Sequence, residues 1–381
     1  MRLADATGRQ RHLSYCTNVH EAEDLDGILR QLDTYAVPVR ERLGTDVLGL
    51  GLWLPAPVAA GLASDVAARQ GLRNALTSRG LEVVTLNGFP YQAFHAPVVK
   101  HAVYQPDWTT PQRMAYTVNL GVILADLLPD DAAYGSISSL PLAWRDPWDA
   151  ARAAACRRAL VELAAELHRL PRRIRVAFEP EPGCIVETTQ EAVALLGEAD
   201  TSVLGVCLDL AHLACAWEEP PAALARLREA GLPVVKTQLS AALASADPHA
   251  DRAVLGEYAE PRFLHQTRGP HGFKADDLDE ALDARGADAQ PWRVHFHVPL
   301  HQAPAPPLTS TVGVLVEALG ALVELSDCAH FDVETYTWGV LPPTARPRDP
   351  AELAAGIASE LFFARAQLTA LGLTPLPGVP S

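Results

Sequence analysis

Three apolar runs end on Glu179, Asp209 and Gln238, 30 and 29 residues apart, and this spacing constrains the fold more than any other feature of the chain. A strand, a helix and their connections occupy about 30 residues in one β/α unit. Arg175-Val176-Ala177-Phe178-Glu179, Val206-Cys207-Leu208-Asp209-Leu210-Ala211-His212 and Val234-Val235-Lys236-Thr237-Gln238 therefore read as consecutive buried parallel strands, each stopping on a polar group. His330-Phe331-Asp332-Val333-Glu334 repeats the design near the end. A charge at the end of a buried strand is costly to desolvate unless something pairs with it, and a cation would do so.

The same alternation runs through the rest of the chain. His12–His20 is strand-like and precedes an amphipathic helix through about residue 43. Val47–Leu54 is the second strand, stopped by Pro55 and Pro57 before an alanine-rich helix to about Arg79. Leu81–Asn87 is the third, followed by a polar-aromatic loop with Lys100, His101, Tyr104, Asp107 and Trp108. Tyr134–Leu142 reads as the fourth, Asp146–Leu170 as a helix with Pro147 in its first turn, and Ile174–Glu179 as the fifth. About eight such units predict an α/β fold, a single (β/α)₈ TIM barrel over residues 1–381 in which the polar strand ends converge. A doubly wound sheet is the runner-up, and the absence of Gly-x-Gly-x-x-Gly or Gly-x-x-x-x-Gly-Lys turns counts against it.

The interval from Gln238 to Glu334 is too long for one crossover and reads as an insertion between strands seven and eight, around 241–293, with site residues of its own. It holds Phe263–Arg268, an acidic helix near Asp276–Leu282, and the run Val294–His301, where alternation puts His295 and His297 on one face with His301 next in the series. The Pro-rich tail, 374–381, is expected to fray.

With 49% hydrophobic and 20% charged residues, the chain can bury one large core; two domains are the alternative. A net charge of -15 disfavours nucleic acid and anionic lipid as partners. No uncharged apolar run reaches 18 residues and Met1–Ala6 lacks a signal core, so no membrane insertion and a cytoplasmic location are expected. The six cysteines show no Cys-x-x-Cys spacing and read as free, packed thiols. A small molecule is the expected partner, and a homodimer is left open.

These residues resemble the xylose isomerase-like barrels, which include sugar isomerases, ketose epimerases and endonuclease IV. The strings Tyr15-Cys16-Thr17-Asn18-Val19-His20, Phe178-Glu179-Pro180-Glu181-Pro182-Gly183, His295-Phe296-His297-Val298-Pro299 and Glu334-Thr335-Tyr336-Thr337-Trp338 look more closely like the EboE group, named for metabolite traffic. The likeness covers about residues 12–345. It implies a divalent metal on Glu179, Asp209, Gln238, His297 and Glu334, with His212 three residues after Asp209. Where strand seven usually supplies His, this chain offers Gln238, and His297 is the candidate to complete the site. Carboxylate and imidazole ligands suit Mn²⁺ or Zn²⁺, with Co²⁺, Fe²⁺ or Mg²⁺ also compatible.

The implied activity is isomerisation or epimerisation of a sugar- or cyclitol-derived hydroxyketone by enediolate proton transfer, with Glu179 and Glu334 exchanging the proton and His212 orienting the substrate. His20, Asn87, Tyr91, Lys236, Arg268 and Trp338 are the candidate substrate contacts; Phe89 and Trp108 are candidates for excluding water, and His101 and His265 are secondary. A non-catalytic metabolite-binding traffic protein and a metal-dependent phosphodiester hydrolase of the endonuclease IV type are the alternatives. Each residue also has a plainer reading. Asp209 and His212 could cap the next helix, Glu179 and Glu181 could make surface ion pairs, His295 and His297 could be an edge-strand pair, and Lys236 could pair with a carboxylate.

Overall fold

The computed structural model describes residues 1–284 and 290–376. Eight parallel strands, β1 (Gln10–Cys16), β2 (Leu48–Trp53), β3 (Leu81–Asn87), β4 (Gly135–Ser139), β5 (Ile174–Phe178), β6 (Leu204–Asp209), β7 (Val234–Leu239) and β8 (His330–Val333), pair in chain order. β8 pairs with β7 and also with β1, in the register His330 to His12 and Asp332 to Ser14, which closes the barrel. The expected (β/α)₈ architecture is therefore the observed one. Nearly every strand residue is buried, as unbroken apolar runs require. Leu50, Val83, Ile137 and Val176 join helix residues Leu120, Leu163 and Leu227 in one core.

Several element boundaries differ from the sequence reading. β1 stops at Cys16 because Thr17–Val19 forms a 3₁₀ turn, where the Thr17 hydroxyl accepts from Trp53 N at 2.9 Å. The alanine-rich helix is two helices, Ala56–Ser64 and Val66–Thr77, divided at Asp65, which caps the second. Pro147 lies ahead of its helix, which begins at Ala150 because Asp149 takes the cap. Thr374 and Pro375, placed in the tail from the sequence, pair with Ala4 and Leu3; residues 377–381 lie outside the described residues. All six cysteines are free and buried.

The interval between β7 and β8 builds its own antiparallel sheet from Ala242–Ser245, Thr267–Arg268, Lys274–Ala275, Trp292–His297 and Thr309–Ser310, so it runs beyond 293. Its acidic helix is Leu278–Asp283, capped by Asp277, and residues 285–289 lie outside the described residues. Trp292–His297 runs through the middle of this sheet, paired on both sides. A paired strand holds alternate side chains on one face, and here those include His295 and His297.

The barrel interior is polar as well as closed. Lys236 Nζ lies 2.9 Å from Asp332 Oδ2, and Ser14 Oγ donates to Asp332 Oδ1 at 2.6 Å. Gly51 faces this pair: a Cβ there would stand 1.9 Å from the carboxylate, so only glycine leaves room.

Candidate metal and active site

The carboxyl ends of β5 to β8 deliver Glu179, Asp209, Gln238 and Glu334 to one place. Glu179 follows β5 and turns inward because Pro180-Glu181-Pro182-Gly183 reverses the chain at once, with Cys184 N donating to Glu181 O at 3.1 Å. Gly183 has φ +91°, and a Cβ there would meet Trp144 at 2.2 Å. The turn buries Glu179 (2% exposed) and Glu181 (4% exposed) on the wall of one cavity, so neither is a surface ion pair.

Gln238 ties the site together. Its Nε2 donates to Glu179 Oε1 at 2.7 Å and to Glu334 Oε2 at 2.5 Å. Asn18 and Asn87 donate to Glu334 Oε1 at 2.8 and 2.9 Å. Asp209 is the helix cap of its plainer reading and keeps a second oxygen open. Its Oδ1 caps helix Leu210–Cys215, accepting from His212 N at 2.9 Å and Ser240 Oγ at 2.7 Å, while its Oδ2 has no hydrogen-bond partner.

Three imidazoles face the same space, and their outer nitrogens fix the tautomers. His212 Nδ1 donates to Pro180 O at 3.0 Å, His297 Nδ1 to Glu334 O at 2.8 Å, and His295 Nδ1 to Gln266 Oε1 at 2.7 Å. Gln266 cannot turn round, because its Nε2 donates to Tyr104 and to Pro182 O. Each Nε2 is then left as a lone pair. Those of His212 and His295 stand 2.9 Å apart with no proton assigned between them. A cation relieves such a contact, and the outer hydrogen bonds are of the kind that orient metal-ligating histidines.

Electrostatics agree with a missing positive charge. Burial, then repulsion from Glu334, Asp209 and Glu181, pushes Glu179 well above the usual carboxyl range. Burial and Asp209 raise Glu334 to about 8, and burial raises Glu181 to about 8. Burial lowers His212 to about 4 and His297 below its usual value, and takes His295 well below, so all three are neutral at pH 7. The 3.5 Å approach of His212 to Glu179 is accordingly a polar contact and not an ion pair.

These residues fit a divalent metal. Ligand atoms converge within 4.8 Å in three overlapping sets: Glu179, Asp209 and His212; Asp209, His297 and Glu334; and His212, His295 and His297. Glu179 Oε2, Asp209 Oδ2, Gln238 Oε1 and His297 Nε2 are buried without a partner, and all are acceptors. Buried acceptors left open are costly and call for a cation or donors from outside the chain.

Of the candidate substrate contacts, only Asn87 lines the cavity. His20 is packed away from it, stacked on Tyr35 at 4.2 Å and bonded to Tyr15 OH. Tyr91 packs edge-on against Tyr116. Lys236 is committed to Asp332 inside the barrel, the plainer of its two readings. Arg268 is held by Glu187 at 2.7 Å, and Trp338 by Glu360 at 3.2 Å. Polar groups near strand ends in sequence were diverted here by nearer partners. Phe89 lines the cavity, but Trp108 is core, donating to Ser139 Oγ and Leu140 O. His101 packs on Trp144, and His301 is exposed beside Trp338. His265 bonds to His295 O and Glu260, supporting the histidine strand from behind. Sequence reasoning missed Asn18, Tyr104, Gln266 and Tyr336 as site residues, and read Glu181 only as a surface group. Asn18 and Glu181 lie inside strings that carried the resemblance; Tyr104 reaches the cavity, and Gln266 reaches Tyr104 and His295 behind its wall, only through long-range folding.

Residues 41–260 match the sequence profile of the family described as xylose isomerase-like TIM barrel. The chain belongs to that family. No curated protein matches it. Among solved structures, this family member is similar to a putative sugar phosphate isomerase/epimerase from Anabaena variabilis (14% identity, TM-score 0.54, covering 95% of this chain and 99% of that one). It is also similar to a D-psicose 3-epimerase solved in the presence of D-fructose (15%, 0.52, 94% and 99%). A xylose isomerase-like TIM barrel protein from Mycobacterium smegmatis, solved in complex with magnesium, is similar as well (13%, 0.55, 94% and 98%). At these identities the likeness speaks for the fold. No helix among the described residues is long and apolar enough to cross a membrane.

Proposed function

We propose that this chain is a divalent-metal-dependent isomerase or epimerase of a sugar- or cyclitol-derived hydroxyketone. The observation that carries the reading is the set of buried, unpartnered acceptors on Glu179, Gln238 and His297, which line one cavity, and on Asp209, which converges with Glu179 and with His297. Glu179, Asp209, Gln238, His297 and Glu334 would hold the metal, with Mn²⁺ or Zn²⁺ favoured by the ligand types. When bound, the metal polarises a carbonyl and stabilises charge that develops on its oxygen. The finer resemblance to the EboE group belongs to this proposal, and the psicose epimerase and the magnesium-bound barrel among the similar structures are in keeping with it.

The proton chemistry falls to two carboxylates. Glu179 and Glu334 are joined through one amide, Gln238 Nε2, so a substrate carbon beside that amide is within reach of both. One, ionised, takes the proton next to the carbonyl, and the other, protonated beforehand, delivers its own proton, so the two end with their protonation states exchanged. Return on the opposite face gives an epimer; return at the neighbouring carbon gives an isomer. Burial and Asp209 raise Glu334 to about 8 in the metal-free protein; beside a bound cation it would stay ionised and able to take a proton. Asn18 and Asn87 hold its other oxygen still. His212 orients a substrate oxygen, and Phe94, Phe263 and Tyr336, packed together on the wall, keep water out.

The test is exchange of a carbon-bound hydrogen with solvent. Mn²⁺- or Zn²⁺-loaded protein incubated in D₂O with ketoses and inososes should add one mass unit to its substrate, even where the net reaction is silent. Glu334→Gln should slow exchange by about 10²- to 10⁴-fold, the usual loss on removing a general base. Full exchange in that variant excludes Glu334 as the base. A ligand bound by the wild type without exchange favours a metabolite-binding traffic protein instead.

A further inference from the structure

Glu181 has an open acceptor that the metal reading does not use. It belongs to none of the convergent ligand sets among the described residues, yet it is 4% exposed, lines the cavity, and its Oε2 has no partner. Its Oε1 accepts from Tyr104 OH at 2.7 Å. That proton has no alternative direction, because the Tyr104 oxygen already accepts from Gln266 Nε2 at 2.7 Å. His295 comes within 4.0 Å, but its Nδ1 proton goes to Gln266. Glu181 is thus held in place with one oxygen filled and one open.

The positive groups nearby are engaged elsewhere. Lys100 is the one ammonium lining the cavity among the described residues, and it is bonded to Asp277 and to Glu260 O. Arg145, beside the Gly183 turn, is bonded to Asp276 and to Gly183 O. A divalent ion placed among Glu179, Asp209 and Glu334 would not neutralise all three carboxylates, and Glu181 adds another. A phosphate or carboxylate on the ligand would meet this negative wall. A hydroxyl would satisfy the open oxygen without supplying counter-charge, whereas an ammonium supplies both a donor and a charge.

We infer that Glu181 is a specificity-determining residue that receives a protonated amine of the substrate, so that the site takes an amino-bearing polyhydroxy ketone in preference to a plain or phosphorylated one. This rests on the hydroxyketone reading above and narrows its substrate class. Tyr104 and Gln266 are positioning residues that aim the carboxylate.

Calorimetric titration of Mn²⁺-loaded protein with D-fructose, 1-amino-1-deoxy-D-fructose, 6-amino-6-deoxy-D-fructose and D-fructose 6-phosphate tests this. One amino ketose should bind about tenfold or more tighter than D-fructose, about 1.4 kcal/mol. Glu181→Gln, which keeps an acceptor for Tyr104 but loses the charge, should erase that preference while retaining the thermal stabilisation by Mn²⁺. Equal or weaker binding of both amines by the wild type overturns the inference whether or not the variant folds. A preference that survives in Glu181→Gln, or tightest binding of the phosphate, also overturns it. Solvent exchange on the same ligands separates the two readings: preference without exchange retires the isomerase and keeps the amine subsite, and exchange without preference does the reverse.

Discussion

Lys236 and Asp332 lie two residues before Gln238 and Glu334 on β7 and β8, and both layers are buried, but they handle charge in opposite ways. In the lower layer the chain supplies its own cation: Lys236 sits 2.9 Å from Asp332, and the serine hydroxyls of Ser14 and Ser138 complete the contacts. In the upper layer Glu179, Glu181, Asp209 and Glu334 share amide and hydroxyl donors, but among the described residues no ammonium or guanidinium bonds to them, and Lys100 on the cavity wall is committed to Asp277 and Glu260 O. The residue types are alike and the burial is alike. Whether the positive charge is built in or left to arrive separates a structural ion pair from a candidate site, a more useful distinction than burial or a perturbed carboxyl alone.

Breaking the lower layer should give the largest effect on stability. Lys236→Met leaves Asp332 buried without its cation and is expected to cost about 3–5 kcal/mol, read from urea denaturation. Adding Asp332→Asn, which keeps the side-chain volume that Gly51 leaves room for, should recover most of that loss, since the orphaned charge goes with it. A cost below about 1 kcal/mol for the single variant would mean that water reaches the interior and that the two layers do not differ as described. The counterpart in the upper layer, Glu334→Gln, removes a carboxyl from a repulsive group and should leave the metal-free protein at least as stable.

The upper layer should show its missing cation through pH. Glu334 is raised from the ordinary value of 4.5 to about 8 in the fold, and Glu181 likewise. A group raised on folding stabilises fully below its unfolded value and loses that contribution as pH climbs through the folded one. These carboxyls should therefore cost the metal-free protein stability as pH rises, and the loss should be clearest between about pH 6.5 and 8, above the ordinary histidine value. Cations replace the protons that leave, so added Mn²⁺ should raise the melting temperature more at pH 8 than at pH 5. Saturation at 100 times the dissociation constant is worth about 2.7 kcal/mol. His212, lowered from 6.5 to about 4, opposes this below about pH 6.5, where its unfolded form binds a proton that the folded form does not, and above 6.5 the carboxyl effect stands alone. Equal metal-induced shifts at the two pH values would detach the metal site from these carboxyls.

Periodicity and spacing carried the barrel, because a buried parallel strand announces itself by an unbroken apolar run and the β/α unit by its length. They also carried Glu179, Asp209, Gln238, Glu334 and the His295/His297 face, since a strand end and a two-residue alternation are local properties. What they could not carry was competition among partners. Arg268 was bound by Glu187 and Trp338 by Glu360, partners well outside the local pattern, and His20 by Tyr15 and Tyr35, which turn it away from the cavity. Glu181 failed for the converse reason: Pro180, Pro182 and Gly183 signalled a turn, turns usually face water, and only the fold shows this one pressed against Trp144.

The smallest expected change in stability comes from Asp209, a helix cap that we also propose as a ligand. Asp209 caps its helix with Oδ1 and leaves Oδ2 open, so a substitution that keeps the cap can remove the ligand alone. Asn ranks beside Asp at the cap position, whereas Ala there costs about 1 kcal/mol. Asp209→Asn should hold the metal-free melting temperature within about 1 °C to 2 °C, because a few tenths of a kcal/mol spread over a domain this large moves it little. The stabilisation by Mn²⁺ should fall by at least half, since a neutral amide replaces the carboxylate. Melting curves of wild type, Asp209→Asn and Asp209→Ala, each with and without metal, separate the roles: loss of metal response in both variants with loss of intrinsic stability only in Ala supports the dual assignment. An unchanged metal response in Asp209→Asn would reduce Asp209 to a helix cap and shift the cation toward His212, His295 and His297, the one convergent set that contains no carboxylate.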